Sequence, residues 1–234
     1  MFVITIVFAI GYLIAYPGLG NFRGLLDWTQ IDQWQNEVEA AKVRYEPVFA
    51  GYRDLPVEEL AKTPAAVRMG QRIFAVNCAQ CHGADGRGSR GFPNLADGDW
   101  IWGGSVDAIH TTIEKGRQAV MPPWVAVLGE DGVNNVAHYV LTLSGTLPAG
   151  AESAAGETQF KTICASCHGP EGNGNPLLGA PRLNDTTWLY GNELEQIKHT
   201  LRAGRNGKMP AFGEQLGSDK IHLLTAYVYS LSAP

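Results

Sequence analysis

Two copies of one unit fill the C-terminal two thirds of this 234-residue chain, and that duplication constrains its fold more than any other feature. Gly70 and Phe74 match Gly156 and Phe160 at an offset of 86, and the pairs Cys78/Cys81 and Cys164/Cys167 keep that offset. After a two-residue insertion beyond His168 the offset becomes 88 and stays there. It aligns Pro93-Asn94-Leu95 with Pro181-Arg182-Leu183, Trp100 with Trp188, and Gly116-Arg117 with Gly204-Arg205. It also aligns Met121-Pro122 with Met209-Pro210, and Tyr139-Val140 with Tyr227-Val228. Each unit reads as mostly helical: a helix carrying Gly and Phe, a Gly-rich loop, a middle helix, and a last helix. The middle helix is expected at about 106–115 or 194–202 and the last at about 133–143 or 220–231. The joint lies near residues 147–156, where Pro, Ala, Gly and Ser cluster.

The four cysteines fall as Cys78-Ala79-Gln80-Cys81-His82 and Cys164-Ala165-Ser166-Cys167-His168. Disulfides, a zinc site or a redox dithiol would each use such pairs. The histidine directly after each second cysteine points elsewhere, to c-type haem attachment. Two thiols on one turn reach the two vinyl groups of one porphyrin, and the adjacent imidazole then faces the iron. A zinc site would need converging pairs, and a thioredoxin-like dithiol would sit in a βαβ setting that this pattern lacks. The chain is therefore expected to carry two covalently bound haem c groups.

A closed electron-transfer haem takes a second axial ligand, and methionine raises its potential. Met121 and Met209 recur at matched positions, each before a proline, and are the expected ligands. Each repeat would pair its own residues, His82 with Met121 and His168 with Met209. Met69 has no counterpart and reads as a packing side chain. His110, His138, His199 and His222 do not recur and read as ordinary helix residues. No Ser/His/Asp or paired-carboxylate constellation stands out, so the chain reads as an electron carrier without a catalytic site of its own.

Net charge is −5 without any basic stripe, which excludes nucleic acid as a partner. Residues 1–16 carry no charge. As a helix they would reach about 24 Å, short of the roughly 30 Å hydrocarbon core. A membrane anchor is the expected reading. A cleaved signal peptide lacks its basic start and its small-residue cleavage site, and a buried soluble helix is the other alternative. Pro17-Gly18-Leu19-Gly20 should break this helix. A second helix is expected from Gln30 to Tyr45, followed by a linker punctuated by Pro47, Pro56 and Pro64.

Each repeat resembles a class I cytochrome c domain, and nearly the whole chain resembles the CcoP (FixP) family, the dihaem subunits of cbb3-type cytochrome c oxidases. The resemblance is carried by Tyr16-Pro17-Gly18-Leu19-Gly20-Asn21, by Trp34, Glu37-Val38, Tyr45 and the run from Pro56 to Leu60, and by the strings from Asp97 to Gly104 and from Val133 to Val140. It implies a mainly α fold: a transmembrane helix followed by two tandem class I cytochrome c domains. The boundaries would be an anchor at 1–20, a periplasmic linker at 21–65, and cytochrome domains at 66–147 and 148–234. Cys78, Cys81, His82, Met121, Cys164, Cys167, His168 and Met209 would bind the haems. The carbonyls of Pro93 and Pro181 would orient the two histidines, and Trp100, Trp188, Arg117 and Arg205 would lie at the haem edges or propionates. Family members usually carry more chain before the anchor. The implied partners are a donor cytochrome c, the monohaem subunit and the oxygen-reducing catalytic subunit, in a bacterial inner membrane with the haem domains in the periplasm. A dihaem cytochrome serving another complex and a dihaem peroxidase are the competing readings.

Overall fold

The structure, a computed structural model, describes residues 1–18 and 23–232. It falls into two compact units, Met1–Gly51 and Tyr52–Pro234. In the first unit, α1 (Phe2–Ala15) is apolar throughout and buries no residue. Leu25 and Leu26 fold back to donate to the carbonyls of Ile14 and Ala15. Tyr12 stacks on Tyr16 at 4.7 Å, and Trp28 meets Tyr16 edge-on at 5.6 Å. At 14 residues α1 would reach about 21 Å. No helix among the described residues is long and apolar enough to cross a membrane. The expected break at Pro17-Gly18-Leu19-Gly20 lies partly outside the described residues, as does Asn21.

Helix α2 (Gln30–Arg53) starts where Thr29 Oγ1 accepts from the Asp32 amide at 3.0 Å. It runs eight residues beyond the expected end at Tyr45, with Pro47 inside it. A proline there removes one backbone donor, an orphan carbonyl that water can satisfy on a helix with no buried residue. The expected linker is also more ordered than its prolines suggest. One-turn α3 (Val57–Leu60) buries both its apolar ends, and Pro64 occupies the first turn of α4 (Pro64–Asn77), where its missing N–H costs nothing.

The second unit continues with α5 (Ala79–His82), α6 (Val106–Lys115), β1 (Arg117–Met121) and α7 (Val125–Leu143), which is interrupted at Gly129. The second repeat supplies α8 (Ala151–Gln159), a wide π turn over Phe160–Cys164, α9 (Ala165–His168), α10 (Leu194–Ala203), β2 (Arg205–Met209), α11 (Gly213–Leu216) and α12 (Ser218–Ser232). The middle helices fall where expected, and the last helix of each repeat begins earlier than expected. The ribbon was not foreseen. β1 and β2 pair antiparallel with Arg117 opposite Met209, Ala119 opposite Gly207 and Met121 opposite Arg205.

Chain order and packing order differ here. Helix α4 packs on α12, the last helix of the other repeat, and α8 packs on α7. At the first crossing a Cβ on Gly70 would lie 2.4 Å from the Leu223 carbonyl, and the Phe74 and Tyr227 rings sit 5.3 Å apart. At the second, a Cβ on Gly156 would lie 2.0 Å from the Asn135 carbonyl, and Tyr139 and Phe160 sit 5.2 Å apart. Both glycines are there because two helix backbones nearly touch. The repeats thus exchange their C-terminal halves, and the ribbon is where the two repeats cross.

Candidate functional site

Each cysteine motif sits on one helical turn, which brings the two thiols and the histidine onto adjoining positions. All four thiols are free. Burial first, and the paired thiol second, push Cys78 and Cys164 up to about 11, while Cys81 and Cys167 stay exposed. His82 and His168 are each 8% exposed. His82 Nδ1 lies 2.9 Å from the Pro93 carbonyl and His168 Nδ1 lies 3.0 Å from that of Pro181. A carbonyl can only accept, so Nδ1 carries the proton and Nε2 keeps its lone pair. Burial lowers both imidazole pKa values, opposed by those same hydrogen bonds, and so favours neutral, ligand-ready rings. The proline carbonyls expected from the resemblance are the ones found. The loop holding Pro93 closes on the backbone of Gly88, whose Cβ would strike the Phe92 carbonyl and whose φ is +71°.

The methionines depart from the within-repeat pairing. Met209 packs against the buried cluster that contains Phe74 and Tyr227, as do Cys78, Leu95 and Trp100 of the first repeat. Met121 packs against the one that contains Phe160 and Cys164, as do Leu183 and Trp188 of the second repeat. The expectation paired His82 with Met121 and His168 with Met209, whereas Met209 packs against the cluster that Cys78 also packs against, and Met121 against the cluster that contains Cys164. The reason is the ribbon. Once β1 and β2 pair antiparallel, each methionine ends its strand beside the arginine that begins the other, and it is carried to the other repeat's cluster. Backbone bonds continue the exchange, from Trp124 N to the Leu201 carbonyl (2.7 Å) and from Phe212 N to that of Ile113 (3.0 Å).

Trp188 Nε1 is buried with no hydrogen-bond partner. A buried indole N–H left unmatched costs free energy, so this donor fits an acceptor such as a haem propionate entering the cluster. Together with two free thiols and a neutral, oriented imidazole in each cluster, it makes the donor set fit haem c. Arg117 and Arg205, expected at the haem edges or propionates, make contacts within the fold. Arg117 donates to Thr112 Oγ1 at 2.9 Å and covers the Trp102 ring at 4.8 Å; Arg205 donates to Thr200 Oγ1 at 2.7 Å and covers Tyr190 at 4.2 Å. Trp102 and Tyr190 were not singled out by sequence, though they too obey the 88-residue offset.

Among the other candidates, His222 Nε2 contacts the Leu55 carbonyl at 2.9 Å, which ties the segment after α2 to α12. Met69 is half-buried on α4, and His199 is exposed on α10. No cluster of three or more His, Cys, Asp or Glu side chains suited to a metal ion occurs among the described residues.

Comparison with known proteins gives the family. The family described as cytochrome C oxidase, cbb3-type, subunit III matches residues 65–140 and again 151–228. The N-terminal domain of cytochrome oxidase-cbb3, FixP, matches residues 1–23. The chain is 46% identical over 233 residues to the cbb3-type cytochrome c oxidase subunit CcoP of Rubrivivax gelatinosus, covering 99% of this chain and 76% of that protein. It is 37% identical over 247 residues to the FixP subunit of Azorhizobium caulinodans, covering 98% and 84%. To the CcoP subunit of Cereibacter sphaeroides it is 35% identical over 249 residues, covering 98% and 86%.

Proposed function

The chain belongs to the cbb3-type cytochrome c oxidase subunit III (CcoP/FixP) family, and from that premise we propose the ligand set and placement through which it works as the oxidase's dihaem electron-transfer subunit. It carries two haem c groups, one per cysteine motif. His82 and Met209 would hold the haem attached through Cys78 and Cys81, and His168 and Met121 would hold the one attached through Cys164 and Cys167. The observation that carries this assignment is the location of each methionine in the other repeat's cysteine cluster.

The bound groups supply reversible one-electron chemistry, and the protein sets ligation, burial and access. Pro93 and Pro181 hold the imidazoles in one tautomer and one orientation. Phe74, Leu95 and Tyr227 on one side, and Phe160, Leu183 and Tyr139 on the other, exclude water from the sites. Glycines 116 and 204 let the strands close. A Cβ on either would lie 2.4 Å from the opposite methionine's carbonyl, so the two axial ligands are positioned by one shared ribbon. With a histidine and a methionine held ready for each haem, neither site would leave a position for substrate, which favours an electron relay over a peroxidase.

The partners are the oxidase's monohaem and catalytic subunits, with a cytochrome c as donor. Residues 1–20 fasten the chain to the bacterial inner membrane, residues 21–65 form the linker, and the haem-bearing repeats 66–147 and 148–234 lie in the periplasm, where haem c is attached. An apolar α1 with no buried residue supports the anchor, as does the Tyr12, Tyr16 and Trp28 group at its end, the composition of a membrane interface. Oxygen uptake driven by a reduced cytochrome c, compared between the intact oxidase and one lacking this chain, tests the relay. Loss of donor-driven turnover is expected, and undiminished turnover would defeat it.

A further inference from the structure

Along α2 the apolar side chains Ile31, Trp34, Val38, Ala41, Tyr45 and Val48 follow one another at alternating steps of three and four residues. Steps of that kind average about 3.5 residues, so on a helix they keep one narrow stripe facing the same way over about five turns. All six residues belong to the first compact unit. The charged side chains of residues 30–48 (Asp32, Glu37, Glu39, Lys42, Arg44 and Glu46) all stand off the stripe. Among the described residues nothing buries it: α2 has no buried residue, and Ile31, Trp34, Tyr45 and Val48 are 67, 62, 53 and 44% exposed. A long apolar stripe left open in this way marks a contact surface.

The residues discriminate among three occupants. A helix that lies on a membrane surface pairs its apolar face with a polar face rich in lysine and arginine. Here the stripe is narrow, and the polar face of residues 30–48 holds four acidic groups against two basic ones. Two copies of this chain, held by residues 1–20 in one membrane, would run parallel and in register, setting each side chain against itself. Trp34 would then face Trp34 and Ala41 would face Ala41, an overfilled layer two turns from an empty one. A different helix can set a small side chain against Trp34 and a large one against Ala41, which fills both layers. The borders of the stripe add a charge pattern, with Glu37 and Arg44 along one side and Lys42 along the other. We infer that this stripe is the docking seam for a helix of another subunit of the oxidase. That helix is small where Trp34 reaches it, and carries basic charge beside Glu37 and acidic charge beside Lys42 and Arg44.

This inference rests on the chain's place in the oxidase and names the surface it uses there. In the haem-bearing oxidase the four motif cysteines are bonded to haem, so Val38→Cys or Val43→Cys gives this chain a single reactive thiol. Val38 lies on the stripe, whereas Val43, 69% exposed, lies on the opposite face of the helix. In the intact oxidase a maleimide is expected to label Val43→Cys and to leave Val38→Cys unlabelled. Both variants should react once the chain is separated from the other subunits. A photoactivated cross-linker attached to Val38→Cys should give a product with the mass of this chain plus one other oxidase subunit. Equal labelling of the two variants in the intact oxidase would overturn the inference. So would a cross-linked product made of two copies of this chain, or one formed with lipid. A chain that fails to purify with the oxidase would defeat the subunit reading and the seam with it, a result distinct from a co-purified chain whose stripe stays open.

Discussion

Met209 lies in the same apolar cluster as Cys78, although the two belong to different repeats. Met121 likewise packs against the cluster that contains Cys164. This crossing makes the repeats interdependent: neither contains both walls of a haem site, and a change in one should be read at the haem attached to the other.

In a chain retaining only the second haem (Cys78→Ala with Cys81→Ala), Met121→His should abolish the near-infrared methionine–iron charge-transfer band. Met209→His in that background should leave the band intact. The opposite result would restore pairing within each repeat.

The aromatic contacts give an independent thermodynamic check. A double-mutant cycle between Phe74→Leu and Tyr227→Leu should show a coupling of about 0.5–1.5 kcal/mol, in line with packed aromatic pairs. The cycle between Phe74→Leu and Tyr139→Leu should show coupling near zero. Chemical denaturation of the haem-bearing chain measures both.

Gly204 adopts φ +70°, and a Cβ there would lie 2.4 Å from the Met121 carbonyl. Gly204→Ala should therefore destabilise the fold by about 1–3 kcal/mol through the left-handed backbone, with the steric clash added. Because that carbonyl belongs to an axial ligand, the optical signature of the haem at His168 should change more than that at His82. Gly217→Ala has the same backbone sign (φ +74°) but nothing within 4 Å, and should show only the backbone part.

Arg53 Nη2 and Nε hold both oxygens of Asp219, at 2.7 and 2.9 Å. Hydrogen bonding by Arg53 comes first among the causes that lower the Asp219 pKa. A depressed carboxyl contributes stability above its ordinary pKa and loses it as pH falls through the depressed value. The acid side of the stability profile should thus be less steep in Asp219→Asn than in the unaltered chain. The difference near neutral pH should stay at or below about 1 kcal/mol, because the pair is partly solvated. Melting temperature as a function of pH tests both statements.

Much of the candidate site was legible because covalent and ligand chemistry is local. Two thiols and a histidine within five residues specify attachment wherever the segment lies, and the matched Met-Pro pairs name the proposed second ligands. The cluster that each methionine joins was not legible, since its members meet only once the chain is folded. The ribbon was hidden for a related reason. Neither Arg117–Met121 nor Arg205–Met209 has a strong strand pattern, and each becomes a strand only by pairing with the other.

The sequence by itself determined two helical repeats, the atoms proposed to hold each haem, and the residue types at the helix crossings: Gly70 and Phe74 or Gly156 and Phe160 against Tyr139 or Tyr227. It left undecided which copy meets which. Duplicated surfaces are chemically equivalent, so a Gly/Phe face accepts either tyrosine helix with similar local energy. Tertiary structure made that choice. The short connection at residues 144–150 lets α8 fold back directly on α7, and the antiparallel ribbon then carries β2 and α12 to α4. Chain connectivity and the glycine-permitted approach at Gly116 and Gly204 selected the crossed arrangement, and with it the partner of each methionine.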